Sequence, residues 1–160
     1  VEEHLAAAYH REVGLPTVVV RPFNEYGPGQ TGEGAINSMA RRAIAGETLT
    51  ITGDGSQVRS WTYVDDMVDG VLASLDSPQA VGESFNIGNA TQYVSIAGLA
   101  KLIIDAARSD SDIAYVEALS ADVRVRIPDT TRATELLGFT AKVSLEDGLA
   151  RTIQWLRGES

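Results

Sequence analysis

The chain has 160 residues, the length of one ordinary domain with a real core, and at 44% hydrophobic and 22% charged it has the composition of a soluble globular protein. A net charge of −9 argues against nucleic acid as a partner, because phosphate backbones need a basic face; an anionic small molecule would need arginines gathered locally. Without cysteine there is neither a disulfide framework nor a thiolate metal site, and no apolar run approaches the length of a membrane span.

The opening stretch, "VEEHLAAAYHREVGLP", places Val1, Leu5, Ala8, Tyr9 and Val13 on one helical face, and Gly14-Leu15-Pro16 stops the helix. It begins without a starter methionine, a signal or a cap, so a longer chain with a preceding portion is expected. "TVVV" (17–20) is a continuous β-branched run that suits a strand buried on both faces of a parallel sheet. The loop "RPFNEYGPGQTGEG" (21–34) leads into a helix over about 35–46. "TLTITGDG" (48–55) reads as a short strand and turn, and "VRSWTYV" (58–64) as another strand. The helix "VDDMVDGVLASLD" (64–76) has Asp65 or Asp66 to cap its first turn, where negative charge favours the exposed amides.

"ESFNIGN" and "YVSI" are short strands. Ser95 caps a helix whose Ile96, Leu99, Ala100, Ile103 and Ile104 form an apolar stripe. "DIAYVEA" is the last strand candidate. Two helices finish the chain, one ending at Gly138 and one opening with Ser144 and Asp147 at capping-box spacing. Helices and short strands intermix, so the class is α/β with a mixed sheet.

Gly27, Gly29 and Gly32 make a G-x-G-x-x-G between a strand and a helix, followed by a second apolar run ending at Asp54, near the place of a ribose-binding acid. Three features speak against a dinucleotide loop. Pro28 removes an amide where the pyrophosphate would need one; Glu33 and Gly34 intervene before the helix; and six residues, 21–26, separate the strand from the first glycine.

Read together, "RPFNEYGPGQ", "GDGSQVRSWTYVDDMVDG", "FNIGN" and "RIPDTTRATELLGF" resemble the C-terminal half of extended short-chain dehydrogenases/reductases, the NAD-dependent nucleotide-sugar epimerases, dehydratases and decarboxylases. The resemblance covers nearly the whole chain. It implies a substrate-binding region over 1–160 of a Rossmann-like fold, with residues 1–24 the tail of the Rossmann portion and the N-terminal Rossmann half missing. In such enzymes NAD lies on that half, and a Tyr-x-x-x-Lys pair moves the proton while hydride passes between a sugar carbon and NAD. Here the two lysines, Lys101 and Lys142, do not stand four residues after a tyrosine. No catalytic residue is therefore assigned, and tight NAD binding by this chain alone is not expected.

The resemblance carries over the nucleotide-sugar half of the site. Phe23 matches the residue lining the nicotinamide end of the cleft and can also be a core aromatic. Asn24 matches the asparagine that holds the substrate diphosphate, and Arg59 the arginine that grips it, since only a guanidinium offers a rigid fork for two phosphate oxygens. Thr50, Ile51 and Thr52 match the strand beside the nucleotide base, and Ala35 and Ile36 the helix entrance near it. Asp122 matches an aspartate that contacts the ribose. Family members often carry an arginine three residues earlier, where this chain has Leu119; Arg124 or Arg126 could replace it, both facing the cleft or both facing solvent.

Asp65, Asp66 and Asp69 suit a helix N-terminus better than a metal, and His4 and His10 are not spaced to join them. Arg41 and Arg42 read as a solvated helix face, and Trp61 and Trp155 as packing residues. Two functions remain in view: part of a cytoplasmic, homodimeric NAD-dependent enzyme acting on a UDP- or dTDP-sugar, or a stand-alone module that binds a sugar nucleotide or a partner without catalysis. The choice between epimerase, dehydratase and decarboxylase is not legible.

Overall fold

In the computed structural model, which describes residues 1–32, 34–117 and 123–158, the chain order is α1 (Glu2–Val13), β1 (Val19–Pro22), β2 (Glu25–Tyr26), α2 (Ala35–Ala45), β3 (Leu49–Thr52), β4 (Val58–Ser60), β5 (Thr62–Tyr63), α3 (Val64–Asp76), β6 (Ser84–Ile87), β7 (Tyr93–Ser95), α4 (Ile96–Ala107), β8 (Ile113–Val116), β9 (Val125–Arg126), α5 (Thr131–Leu137) and α6 (Leu145–Leu156). The strands form short ladders. β1 runs parallel to β6, β2 to β5 and β3 to β8, while β4 lies between antiparallel β7 and parallel β9. The mixed α/β class expected from the sequence is what forms.

Two apolar clusters organise these elements. In the larger, the stripes of α2, α4 and α6 close over β3, burying Ile36, Leu49, Ile51, Leu99, Ile103, Leu149 and Ile153. In the smaller, Phe85 and Ile87 of β6 pack against Ala133 of α5 and Phe139. Each such large side chain contributes about 1.5–3 kcal/mol by leaving water. Between the clusters lies α3, which approaches β6 closely because Gly70 has no side chain: a Cβ there would stand 2.4 Å from Ile87 Cγ2.

The caps at Ser95 and Ser144 form as expected. Each hydroxyl accepts from the amide three residues on, Gly98 at 3.0 Å and Asp147 at 3.1 Å. Gly138 ends α5 in the left-handed region at φ 65°, which only glycine adopts without penalty. The expected cap of α3 is different. Its N-cap is Tyr63, with no side-chain cap bond. Asp66 instead turns inward, and its carboxylate accepts from the amides of Lys142 (2.9 Å) and Val143 (3.0 Å), just ahead of α6. Those amides would otherwise lack partners, so a buried carboxylate serves there better than a second capping charge. Asp65 is exposed, 3.9 Å from Arg151.

Three further expectations are revised. β1 begins at Val19 and is half-buried rather than sandwiched, since among the described residues it pairs only with β6. Thr17 leaves the strand to donate its hydroxyl to the Ala6 carbonyl of α1. The stretch 58–64 is not one strand: it breaks at Trp61, whose amide donates to Gln92, and its halves pair with different partners.

α1 buries none of its residues, and Val1, Leu5, Tyr9 and Val13 face outward. It is tethered by Glu3, whose carboxylate takes two bonds from Arg21 of β1, at 2.7 and 2.5 Å; that guanidinium holds the Glu3 carboxyl below its usual range. Among the described residues no helix is long and apolar enough to cross a membrane.

Candidate functional site

The ladder β4–β9 places Arg59 and Arg126 at one register position. Side chains at matched positions of neighbouring strands leave the sheet on the same face, and like charges there repel. Arg59 is 9% exposed and donates from Nη1 to its neighbour's carbonyl, Val58 O, at 2.9 Å. Arg126 donates from Nη2 to Asn24 Oδ1, also at 2.9 Å. This is the local gathering of cations that a strongly acidic chain needs in order to hold an anion.

Asn24 follows β1 in a left-handed backbone conformation, φ 40°, which asparagine tolerates better than most residues. β5 and its approach hold it there. Thr62 N donates to Asn24 O at 3.2 Å and Thr62 Oγ1 to Phe23 O at 2.8 Å, while Asn24 Nδ2 donates to Ser60 O at 2.8 Å. The side chain is thus turned toward the arginines.

A cleft of about 390 Å³ opens over these groups, walled by Asn24, Ala35, Ile36, Arg59 and Arg126 together with Glu25, Tyr26, Gln30, Trp61 and Ile96. A second hollow of about 480 Å³ shares Ala35, Arg59 and Ile96 with it and extends over Thr50, Ile51 and Thr52. Eight of the residues singled out in the sequence therefore border one continuous depression. Ile36 and Ile51 are buried floor, and Thr50 is exposed rim.

Three others stand apart. Phe23 lines neither hollow; it sits at the end of β1, its amide bonded to Ile87 O. Arg124 directly precedes β9, and its carbonyl accepts from Val58 N at 2.7 Å at the start of the β4–β9 pairing. It borders neither hollow and lies toward the turn of Asp54, whose carboxyl is held below its usual range first by hydrogen bonds from Ser56 and, to a lesser degree, by Arg124. Asp122 lies outside the described residues.

Two residues read as structural border the depression. Trp61 is buried, as packing residues are, yet forms cleft wall, and its indole Nε1 has no hydrogen-bond partner among the described residues. Arg42 is exposed but reaches Thr48 O at 3.2 Å and borders the second hollow. Its signal was in the spacing: Ala35, Ser38, Met39 and Arg42 fall at i, i+3, i+4 and i+7 of one helix face.

The glycine loop is braced as a turn: Gln30 N donates to Gly27 O, Pro28 has no N–H to offer, and Asn37 Nδ2 of α2 donates to the carbonyls of Gln30 and Gly32. Gly27 packs on protein: a Cβ would lie 2.6 Å from Val64 Cγ1. Asp54 is used in its own turn, accepting from Ser56 N at 2.9 Å. Burial pushes the phenols of Tyr26 and Tyr63 up, Tyr26 furthest. Among the described residues, no group of three acidic or histidine side chains could hold a metal.

Residues 1–88 match the NAD dependent epimerase/dehydratase family. A UDP-glucuronic acid decarboxylase of Xenopus tropicalis is 35% identical over 161 residues, which cover 99% of this chain and 38% of that one. A UDP-glucose 4-epimerase of Thermotoga maritima, solved with UDP-glucose, is 37% identical with a TM-score of 0.91, covering 98% of this chain and 50% of that structure. A dTDP-glucose 4,6-dehydratase of Streptomyces venezuelae, solved with NAD, is 32% identical with a TM-score of 0.89, covering 98% and 48%. The chain spans half or less of the length of these relatives.

Proposed function

Because this chain belongs to the NAD dependent epimerase/dehydratase family, we propose that it is the nucleotide-sugar-binding portion of an NAD-dependent epimerase or dehydratase acting on a UDP- or dTDP-sugar. The observation that carries the reading is the arginine pair, Arg59 beside Arg126, on the wall of a cleft in a chain of net charge −9. Arg59 and the Asn24 amide would hold the diphosphate. Thr50, Ile51 and Thr52, with Ala35 and Ile36, would flank the nucleotide, and Asp122 would meet the ribose. Phe23 would lie at the nicotinamide end. NAD, the cofactor of this family, accepts and returns hydride at a sugar carbon; its binding fold and the acid–base pair would belong to the rest of the whole protein.

Calorimetry on the 160-residue chain tests this. UDP or dTDP is expected to bind, and NAD is expected to show no micromolar affinity, because its binding fold would belong to the rest of the whole protein. Micromolar NAD binding, or no binding of either nucleotide, would overturn the assignment.

The whole protein is read as a cytoplasmic homodimer, with the outward stripe of α1 in the interface. The isolated chain should then self-associate, since burying exposed Val1, Leu5, Tyr9 and Val13 is favourable. Light scattering that stays monomeric at high concentration would count against it.

A further inference from the structure

We propose that Arg126 is a positioning residue: its guanidinium fixes which way round the Asn24 amide lies, so that the second N–H of Nδ2 is presented to the cleft as a donor. The inference rests on reading the cleft as a nucleoside-diphosphate site. It assigns Arg126 a task different from direct contact with phosphate.

A primary amide can lie either way round, and its neighbours decide which. Here they are unambiguous. Ser60 O can only accept, and it takes one N–H of Asn24 Nδ2 at 2.8 Å. Arg126 can only donate, and its Nη2 gives to Oδ1 at 2.9 Å. Turning the amide over would set carbonyl against carbonyl and amino group against guanidinium, two repulsions in place of two bonds. Asn24 cannot evade the choice by moving, because its left-handed backbone is pinned by Thr62 N. Both partners end their strands, Ser60 in β4 and Arg126 in β9, so the pairing of those strands sets the amide. One N–H of Nδ2 remains after Ser60 is served, on a residue that lines the cleft.

The test compares Arg126→Gln, which keeps an N–H for Oδ1 but not the charge, with Arg126→Met, which keeps the stem but not the donor. With UDP as probe, Arg126→Met should bind about tenfold more weakly, and Arg126→Gln should recover most of that loss. Combining Arg126→Met with Asn24→Ala should cost little more than Asn24→Ala alone, because the two residues act through one amide. A direct phosphate ligand would give additive losses and no rescue by glutamine, and either result overturns the proposal. So do unchanged UDP affinities with lowered melting points, the mark of a structural role.

A second readout needs no ligand. The Asn24 side-chain amide signals in a nitrogen–proton correlation spectrum should shift in Arg126→Met and stay near wild type in Arg126→Gln. If the wild type fails to bind UDP, the reading of the cleft fails, while these signals still decide whether Arg126 orients Asn24. Unchanged signals in Arg126→Met overturn the proposal.

Discussion

Replacing Gly148 with alanine should destabilise the protein by about 2 kcal/mol or more, although alanine is the better helix former by about 1 kcal/mol. Gly148 is the fourth residue of α6 and faces the paired rings of Tyr26 and Tyr63. A Cβ there would stand 2.0 Å from Tyr26 Oη, 2.8 Å from its Cζ and 3.0 Å from Tyr63 Cδ2. Neither ring can step aside freely. They meet edge to face, centroids 5.7 Å apart at 73°, both are buried, and the Arg151 guanidinium lies 5.5 Å from the Tyr63 centroid. Overpacking of this kind costs about 1–3 kcal/mol and sometimes more, so with three atoms too close the clash outweighs the helix propensity.

The readout is the denaturant midpoint at constant slope. Tyr26→Phe in the same chain should restore much of the loss, because it removes the atom in closest conflict. The Tyr26 hydroxyl's own bond, to Leu145 O, is long at 3.4 Å, so its loss costs little. Since Tyr26 also walls the cleft, UDP affinity should fall and recover alongside stability. A Gly148→Ala protein as stable as wild type would show that the tyrosine pair yields to the added methyl group.

Arg59→Lys should weaken UDP binding by about ten- to a hundredfold, the loss of one charge-assisted hydrogen bond worth about 1.5–3 kcal/mol. Lysine keeps the charge and most of the stem but not the planar fork that grips two phosphate oxygens at once. Arg59 also stands where both hollows meet, so its loss is felt across the whole depression. Melting curves serve as the folding control, because the side chain is buried and donates to Val58 O. Equal affinities at equal melting points would demote Arg59 to a wall residue and remove the strongest anchor of the site. Arg126→Lys offers a contrast: an ammonium can still donate to Asn24 Oδ1, so its effect should be the smaller of the two.

What the sequence determined alone was whatever a single turn or a single stripe decides. Ser95 and Ser144 cap their helices because the amide they serve is three residues away; Gly138 stops α5 because the left-handed turn is local; the spacing of Leu99, Ala100 and Ile103 announces which face of α4 is buried. The motifs R-P-F-N and G-D-G-S-Q-V-R brought Asn24 and Arg59 to notice, and both border the same cleft.

Only the tertiary structure decided the rest, because those choices are made between residues far apart in the chain. Asp66 left the helix cap for two amides 76 and 77 residues away, which no local rule connects to it. Residues 58–64 read as one strand, but residues 58–60 pair with β7 and β9 and residues 62–63 with β2, so the strand breaks at Trp61. Arg124 and Arg126 are equivalent by alternation. The pairing of β9 with β4 sets Arg126 opposite Arg59 and against Asn24, 102 residues earlier, while Arg124, whose carbonyl accepts from Val58 N, borders neither hollow.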